Sequence, residues 1–416
     1  MTKRINHEHH MLHPIHGFVH PRFEAVKTAF NENFTLRGEI GASVCIYHKG
    51  EKVVDLWGGF ADQEATQPWQ ANDLTTLFSV TKGLVATCYL ILVDRGKIKY
   101  SDPVEQYWPE LCVGLAQERY RAERKKLTIA ELLNHRSGLL GFKDTLSLET
   151  LEDEAKLLER LESEPLRWKP NSQQGYHGVS FGLYAGALFK KITGQSLGRF
   201  IRNEIREKLD IDVYLGLSQQ ETQLLSQRIR PIFPNQVGDI LSGILPSLLM
   251  TNREGNFYRA ALNKASHTAF AFGQPADLGA RGLKNFNQTR VQQLELPWAN
   301  GLGSARSIAK LYQALLTPHR LVSPQTLALV FPRQSWSKRD AVIKKPMGFS
   351  YGFVKEETIL FSPNPEAFGH PGAGGALGFA DPKAELSIAY VMNRMGYQVR
   401  SPRALALCHA AHSCLS

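Results

Sequence analysis

The chain has 416 residues, 43% apolar and 21% charged, which is enough to bury a large core as one domain or as two lobes. Its formal net charge of +10 is spread along the chain, and the densest basic patch, residues 119–126, lacks the aromatic-basic pattern of a nucleic-acid reader, so it reads as a solvated loop and no nucleic-acid partner is expected. The stretch 237–250 contains Asp239 and Pro246 and is too short to span a bilayer, no apolar segment follows Met1-Thr2-Lys3-Arg4, and the cysteines are odd in number with no C-x-x-C, so a cytoplasmic protein with free thiols and no membrane partner is expected.

Residues 1–22 read as a mobile tail carrying His7, His9, His10, His13, His16 and His20. His7-Glu8 lacks the second histidine of a zincin motif, since Met11 stands there, and no metal or other cofactor is expected. Phe23, Val26, Phe30 and Phe34 have helical spacing. Residues 41–47 and 52–57 read as two strands joined at His48-Lys49-Gly50-Glu51, with Cys45 as a small core residue. After a polar loop comes Phe78-Ser79-Val80-Thr81-Lys82-Gly83, followed by an apolar run over 84–93 that contains Cys88 and ends at Asp94-Arg95-Gly96. This predicts a helix with Ser79 and Lys82 side by side at its start, because positions i and i+3 share a face.

Further on, Thr128 and Glu131 form a capping box for a helix reaching about His135, which Ser137-Gly138 ends. An acidic helix is expected over 148–161, and another over 179–192 closed by Thr193-Gly194. Residues 218–296 are mixed in pattern and resemble an insertion or a substrate-lining lobe. A helix at 304–316 is followed by β-rich runs at 349–354, 358–361, 376–380 and 387–392, then a last helix at 404–412. Strands at both ends with helices between predict an α+β fold: one antiparallel sheet built from both chain ends, flanking helices and an inserted helical lobe. The sheet lobe is expected at about 23–75 plus 300–416 and the helical lobe at about 76–299, together one domain over 23–416.

A serine hydroxyl is a poor nucleophile until a base takes its proton, and a lysine serves as that base only when its neutral form is made accessible. Ser79…Lys82 is one of three Ser-x-x-Lys matches. Ser307…Lys310 lies on a polar-faced helix with Lys310 toward water, and Ser335…Lys338 reads as a charged loop. Only Ser79 opens an apolar helix. A competing signal is Gly178-Val179-Ser180-Phe181-Gly182, a nucleophile-elbow match, but Pro170 and the polar run before it are not the buried strand that an elbow requires.

Three segments, Ser79-Val80-Thr81-Lys82, Tyr176-His177-Gly178 and Phe368-Gly369-His370-Pro371-Gly372-Ala373-Gly374-Gly375, occur in an order and spacing that resembles the serine β-lactamase/penicillin-binding-protein-like superfamily, nearest to the class C-like family VIII carboxylesterases. Trp57-Gly58-Gly59, the run 132–139, Asn300-Gly301 and Asp381-Pro382 extend the likeness. The resemblance implies the β-lactamase/transpeptidase-like fold, Ser79 as nucleophile, and Lys82 and Tyr176 sharing proton transfer. It also implies an oxyanion hole from the N–H groups of Ser79 and Ala373, and substrate contacts at His370, Gly372 and Gly374.

The sequence departs from the lactamases at two boxes. No Lys-Thr-Gly occurs, with His370 in its place, and no Tyr-x-Asn, with Gly178 in place of the asparagine. Asn171 replaces a turn glycine and tolerates the same left-handed backbone. The reading is therefore a serine hydrolase acting on small-molecule, short-chain esters. The alternatives are a β-lactamase or D-amino-acid peptidase/acyltransferase of the same superfamily, and a non-catalytic scaffold that kept the fold.

Overall fold

The alternating runs at 41–47 and 52–57 become a two-residue hairpin in the computed structural model, which describes residues 14–113, 119–234, 240–250, 252–355 and 361–415. Strand β2 is Gly41–His48 and β3 is Glu51–Gly59. Lys49 (φ 52°) and Gly50 (φ 85°) both turn left-handed between them, the geometry that matches strand twist. Upstream, β1 (Ile15–Val19) pairs antiparallel with β3 where a mobile tail was expected. Its sequence hides it: it is an exposed edge strand held by backbone pairing, so no apolar alternation marks it. Of the clustered histidines, His7, His9, His10 and His13 lie outside the described residues, while the His20 ring accepts the Arg22 N–H at a turn leading into helix α1 (Glu24–Leu36).

The remaining strands are β4 (Thr75–Thr76), β5 (Val213–Tyr214), β6 (Leu302–Gly303), β7 (Ser335–Ser337), β8 (Met347–Ser350), β9 (Phe353–Lys355), β10 (Phe368–Pro371), β11 (Leu377–Asp381) and β12 (Leu386–Met392). The large sheet runs β1-β3-β2-β12-β11-β10-β9-β8-β7, antiparallel throughout, so both ends of the chain build it as expected. A small sheet, β4-β6-β5, sits before the central helix α2 (Val80–Asp94). Helix α2 is buried from Val80 to Leu92, including Thr81, Lys82 and Thr87. A helix wrapped on all sides needs no polar stripe, which is why its sequence is almost continuously apolar. Helix α3 (Ser180–Thr193) packs on α2, helix α4 (Ala305–Leu316) packs on β12, β2 and β11 of the sheet, and α5 (Pro402–Ser413) packs on α1.

Several expected elements divide or shift. The single strand expected at 349–354 is a hairpin, because Tyr351 (φ 48°) and Gly352 (φ 96°) reverse the chain between β8 and β9. The acidic helix breaks at Asp153, whose carboxylate accepts the Lys156 N–H and starts a second helix, Glu154–Ser163. The segment around Ser335 is edge strand β7 and not a loop. The basic patch contains a short helix, Arg121–Arg124, with Arg124 buried and donating to the carbonyls of Leu111, Glu162 and Glu164. The expected strand at 358–361 falls almost wholly outside the described residues, as does the start of the 237–250 run. The region 218–296 resolves into short helices, among them Gln219–Leu225, Arg253–Leu262 and His267–Phe272. Cys45, Cys88, Cys112 and Cys408 are buried free thiols, and Cys414 is a free thiol half-buried.

One buried ion pair ties the two ends of the chain. Arg403, on α5, donates to the Glu39 carboxylate at 2.7 Å, and also to the Gly374 and Arg394 carbonyls at 3.1 and 2.8 Å. Burial pushes the Glu39 carboxyl up, and Arg403 opposes that shift. Replacing Arg403 with Met removes the cationic partner and leaves the buried carboxylate with neutral donors, the Tyr390 hydroxyl and the Ile40 N–H. Urea unfolding is expected to show a loss of about 3–5 kcal/mol; a loss under about 1 kcal/mol would mean that the pair is not holding the termini together.

Candidate active site

The approach to Ser79 is built by strain held in place. Phe78 is left-handed (φ 47°), a conformation that costs a non-glycine residue of order 1–3 kcal/mol. Pairing of β4 with β6 and the Leu77 N–H bond to the Gly301 carbonyl (2.8 Å) fix the chain on one side. On the other side, N–H bonds from Val80 to Leu77, Thr81 to Phe78 and Lys82 to Ser79 wind it into α2. Gly301 in turn donates to Thr81 Oγ1 at 3.0 Å, and a Cβ at Gly301 would lie 2.7 Å from that oxygen, so no larger residue fits.

The three residues expected to work together meet here. Lys82 Nζ lies 3.1 Å from Ser79 Oγ, and Tyr176 OH donates to the same oxygen at 2.9 Å. Lys82 Nζ also donates to the Trp298 carbonyl at 2.8 Å and sits 5.1 Å from the centre of the Tyr176 ring. Ser79 is half-buried, Lys82 fully buried. No carboxylate pairs with Lys82 among the described residues, and burial alone holds its ammonium well below the usual lysine range. Burial raises the Tyr176 phenol, only partly offset by its bond to Ser79, so Tyr176 is a proton donor and not a phenolate near neutrality.

Tyr176 is held from behind by Asp340, which the sequence did not single out, and by His135. Its backbone N–H donates to Asp340 Oδ1 (3.0 Å), which also accepts from Val342 (2.8 Å) and Ile343 (3.0 Å), while Asp340 Oδ2 accepts from Gln174 (3.1 Å). His135, left-handed at φ 59°, takes the Gly175 N–H on its carbonyl (3.1 Å) and the His177 N–H on Nδ1 (3.0 Å), with its ring centre 5.0 Å from that of Tyr176. Asn171 adopts φ 66°, the left-handed turn that its side chain tolerates. Asp340 lies in a charged stretch with no pattern to mark it. His135 was visible as the end of the helix that Thr128 caps, within the run 132–139 that extends the family likeness.

The third segment lies alongside. A Cβ on Gly372 would come 2.5 Å from the Leu77 carbonyl, so the end of β10 packs against the turn that carries Ser79. Ala373 is exposed at the head of the turn Ala373–Gly375, and no hydrogen bond among the described residues takes up its N–H or that of Ser79. Gly374 differs from its expected place at the substrate: it is buried at φ 83°, and its open side faces Met392 and Met395. His370 is also buried. Its Nδ1 lies 2.7 Å from the Pro371 carbonyl, its ring centre is 6.0 Å from that of Tyr176, and its Nε2 has no partner. Burial, with nearby Lys82 adding to it, brings the His370 pKa down to about 3; burial brings His177 to about 4. Both rings are neutral near pH 7.

The competing serines are occupied otherwise. Ser180 is fully buried at the start of α3 and donates to the Leu139 carbonyl at 2.6 Å. Ser307 accepts the Asp212 N–H at 2.9 Å, and Ser335 donates to the Asn134 carbonyl at 3.1 Å. At Gly178 a Cβ would lie 2.3 Å from the Phe272 ring, which fills the space that an asparagine side chain would need. No three His, Cys, Asp or Glu side chains converge as metal ligands among the described residues.

A protein-family model described as Beta-lactamase matches residues 30–411. The chain is 28% identical over 388 residues to the Esterase/beta-lactamase LipL of Mycobacterium tuberculosis (strain ATCC 25618 / H37Rv), covering 92% of this chain and 83% of that one. It is 33% identical over 191 residues to Esterase EstB of Burkholderia gladioli, covering 42% and 46%. Among solved structures, a family VIII carboxylesterase superposes with a TM-score of 0.80 at 32% identity, over 96% of this chain and 100% of that one. A penicillin-binding-protein homologue from Caulobacter crescentus superposes with a TM-score of 0.81 at 30% identity, over 96% and 100%.

A lysine whose pKa is depressed is neutral above that pKa and loses its capacity as a base as pH falls through it. Labelling of Ser79 by a fluorophosphonate is therefore expected to be pH-independent above the Lys82 pKa and to drop about tenfold per pH unit below it. An undiminished labelling rate in Lys82→Ala would exclude Lys82 as the proton acceptor.

Proposed function

The chain belongs to the Beta-lactamase family, and from that membership we propose that it is a serine hydrolase cleaving small or short-chain carboxylic esters through an acyl-enzyme on Ser79. The observation that carries the reading is the convergence of Lys82 Nζ and Tyr176 OH on Ser79 Oγ, with the lysine buried and without a counter-charge. A scaffold has no use for a lysine kept in that state.

In this mechanism, neutral Lys82 takes the hydroxyl proton as Ser79 Oγ adds to the ester carbonyl. The oxyanion forms against the free N–H groups of Ser79 and Ala373; two fixed donors of this kind are often the largest single catalytic contribution. Collapse breaks the bond to the alcohol oxygen, which receives the proton from Lys82 by way of the Tyr176 hydroxyl. Water then repeats the sequence on the acyl-enzyme, with Lys82 and Tyr176 again handling its proton, and the acid leaves with Ser79 restored. The Trp298 carbonyl orients Lys82 Nζ throughout.

Esters are favoured over β-lactams for a structural reason. A lactam presents a carboxylate and a side-chain amide. Here the position resembling the lactamase lysine is a buried, neutral His370, and the asparagine position is Gly178, closed off by Phe272. Loss of one charge-assisted contact and one amide hydrogen bond costs roughly 2–4 kcal/mol, or about thirty- to a thousand-fold in rate. Steady-state kinetics are expected to give kcat/KM for p-nitrophenyl butyrate above that for a penicillin by at least the lower of those factors. Comparable values would turn the reading toward a β-lactamase, and faster turnover of a D-amino-acid amide toward a peptidase.

The nucleophile is tested separately. Ser79→Ala is expected to lower ester hydrolysis by several orders of magnitude while remaining folded. Ser180→Ala is expected to keep most of the activity and to lose about 1 kcal/mol of stability with its buried hydrogen bond. A covalent adduct mapped by mass spectrometry to Ser180 would reverse the assignment.

A further inference from the structure

Beside the loop that carries Tyr176 lies a cavity of about 460 Å³. Neither Ser79, Lys82 nor Tyr176 lines it. Its wall on the active-site side is the Gln173–Gln174 backbone, where the Ala341 N–H donates to the Gln174 carbonyl at 3.1 Å. Three cations, Arg136, Arg339 and Lys344, open into it together with His267, and its lining contains no carboxylate. Asp340 is the nearest acid in sequence, but it is buried behind the wall with both oxygens taken by N–H donors.

A solvated basic rim would explain three cations at a surface. Two details do not fit that reading. Arg136 Nε is buried and has no hydrogen-bond partner, although the same guanidinium donates to the Asn171 carbonyl. Trp336, about half exposed, also lines the cavity, with the Arg333 guanidinium 5.0 Å from its ring centre. Lys344 Nζ donates to the Ala341 carbonyl at 2.6 Å, but the lining offers none of the three cations a carboxylate. A buried donor without a partner, cations with no counter-charge in the lining and a half-exposed aromatic side chain together describe a recognition surface. Burial lowers both Lys344 and His267; Arg339 adds to the shift at Lys344 while Asp340 opposes it, and Arg167 and Lys344 add to it at His267.

We propose that this cavity binds a small organic anion, a carboxylate or phosphate monoester whose charge is held by Arg136, Arg339 and Lys344 and whose flat apolar part lies on Trp336. The site is separate from the Ser79 centre and shares only the wall that positions Tyr176.

Titration of the full chain with phenyl phosphate, benzoate and inorganic phosphate, followed by tryptophan fluorescence and calorimetry, tests this. Phenyl phosphate or benzoate is expected to bind saturably, and whichever is tighter identifies the anionic group. Inorganic phosphate, lacking the flat part, is expected to bind about tenfold more weakly or less. Arg339→Ala combined with Lys344→Gln, both at the surface, is expected to raise Kd at least about tenfold with little change in melting temperature. Trp336→Phe is expected to remove the fluorescence change, and Ser79→Ala to leave binding intact. An unchanged Kd in the double variant, equal affinity for inorganic phosphate, or loss of binding once Ser79 carries a phosphonyl group would each overturn the proposal, the last because it would put the anion in the Ser79 cleft.

Discussion

A lysine held in the core without a carboxylate is the condition on which the rest of the molecule depends. Burying an unpaired ammonium is costly, so the group gives up its charge instead. What the fold supplies is the place: a helix apolar on every side, entered at Ser79, so that the residue three positions on points inward. Among the described residues, its one hydrogen-bond partner besides Ser79 is the Trp298 carbonyl. That carbonyl is itself positioned by close packing, since a Cβ on Gly182 of α3 would lie 2.3 Å from the Trp298 N. A hydrogen-bond acceptor without charge orients the amine and does little to restore its proton. An aspartate at the same point would have done the opposite.

The walls around Lys82 are assembled from backbone conformations that side chains seldom adopt. Phe78, His135, Asn171 and Tyr351 all have φ between 47° and 66°. Each costs energy in isolation, and each persists because fixed hydrogen bonds determine it: Leu77 to Gly301, Gly175 to His135, Asn171 to the Arg136 carbonyl, and Tyr351 to Asn134. Such strain is stored where geometry matters more than stability, and here it brackets the segments that carry Ser79 and Tyr176.

Much of this was legible in the sequence because it is local. The Lys49-Gly50 turn, the Thr128 and Glu131 capping box and the apolar run after Ser79 each declare themselves within a few residues. The adjacency of Ser79 and Lys82 follows from helix spacing; Tyr176 was joined to them only by a resemblance, and its hydroxyl lies 2.9 Å from Ser79 Oγ. What the sequence concealed is relational. Strand β1 is fixed by pairing to β3 and has no pattern of its own. Asp340 works from a loop 164 positions from Tyr176, by accepting backbone N–H groups, a role any surface aspartate could advertise. The Trp298 carbonyl has no residue signature at all. Gly374 looked like an opening to the substrate, but its missing side chain makes room for Met392 and Met395.

The order of strands also has a consequence for synthesis. Strand β2 is paired on one side by β3, its near neighbour, and on the other by β12, with Ala42 opposite Met392. The turn bearing Ala373 takes its tether from Arg403, later still in the chain. A nascent polypeptide that has already made Ser79, Lys82 and Tyr176 therefore still lacks the centre of its sheet and the tether of the turn at Ala373. Long-range pairing of this kind closes slowly, because loop entropy is lost before contacts repay it. Until β12 is made, the far edge of β2 in the β2–β3 hairpin is an unpaired strand edge open to association.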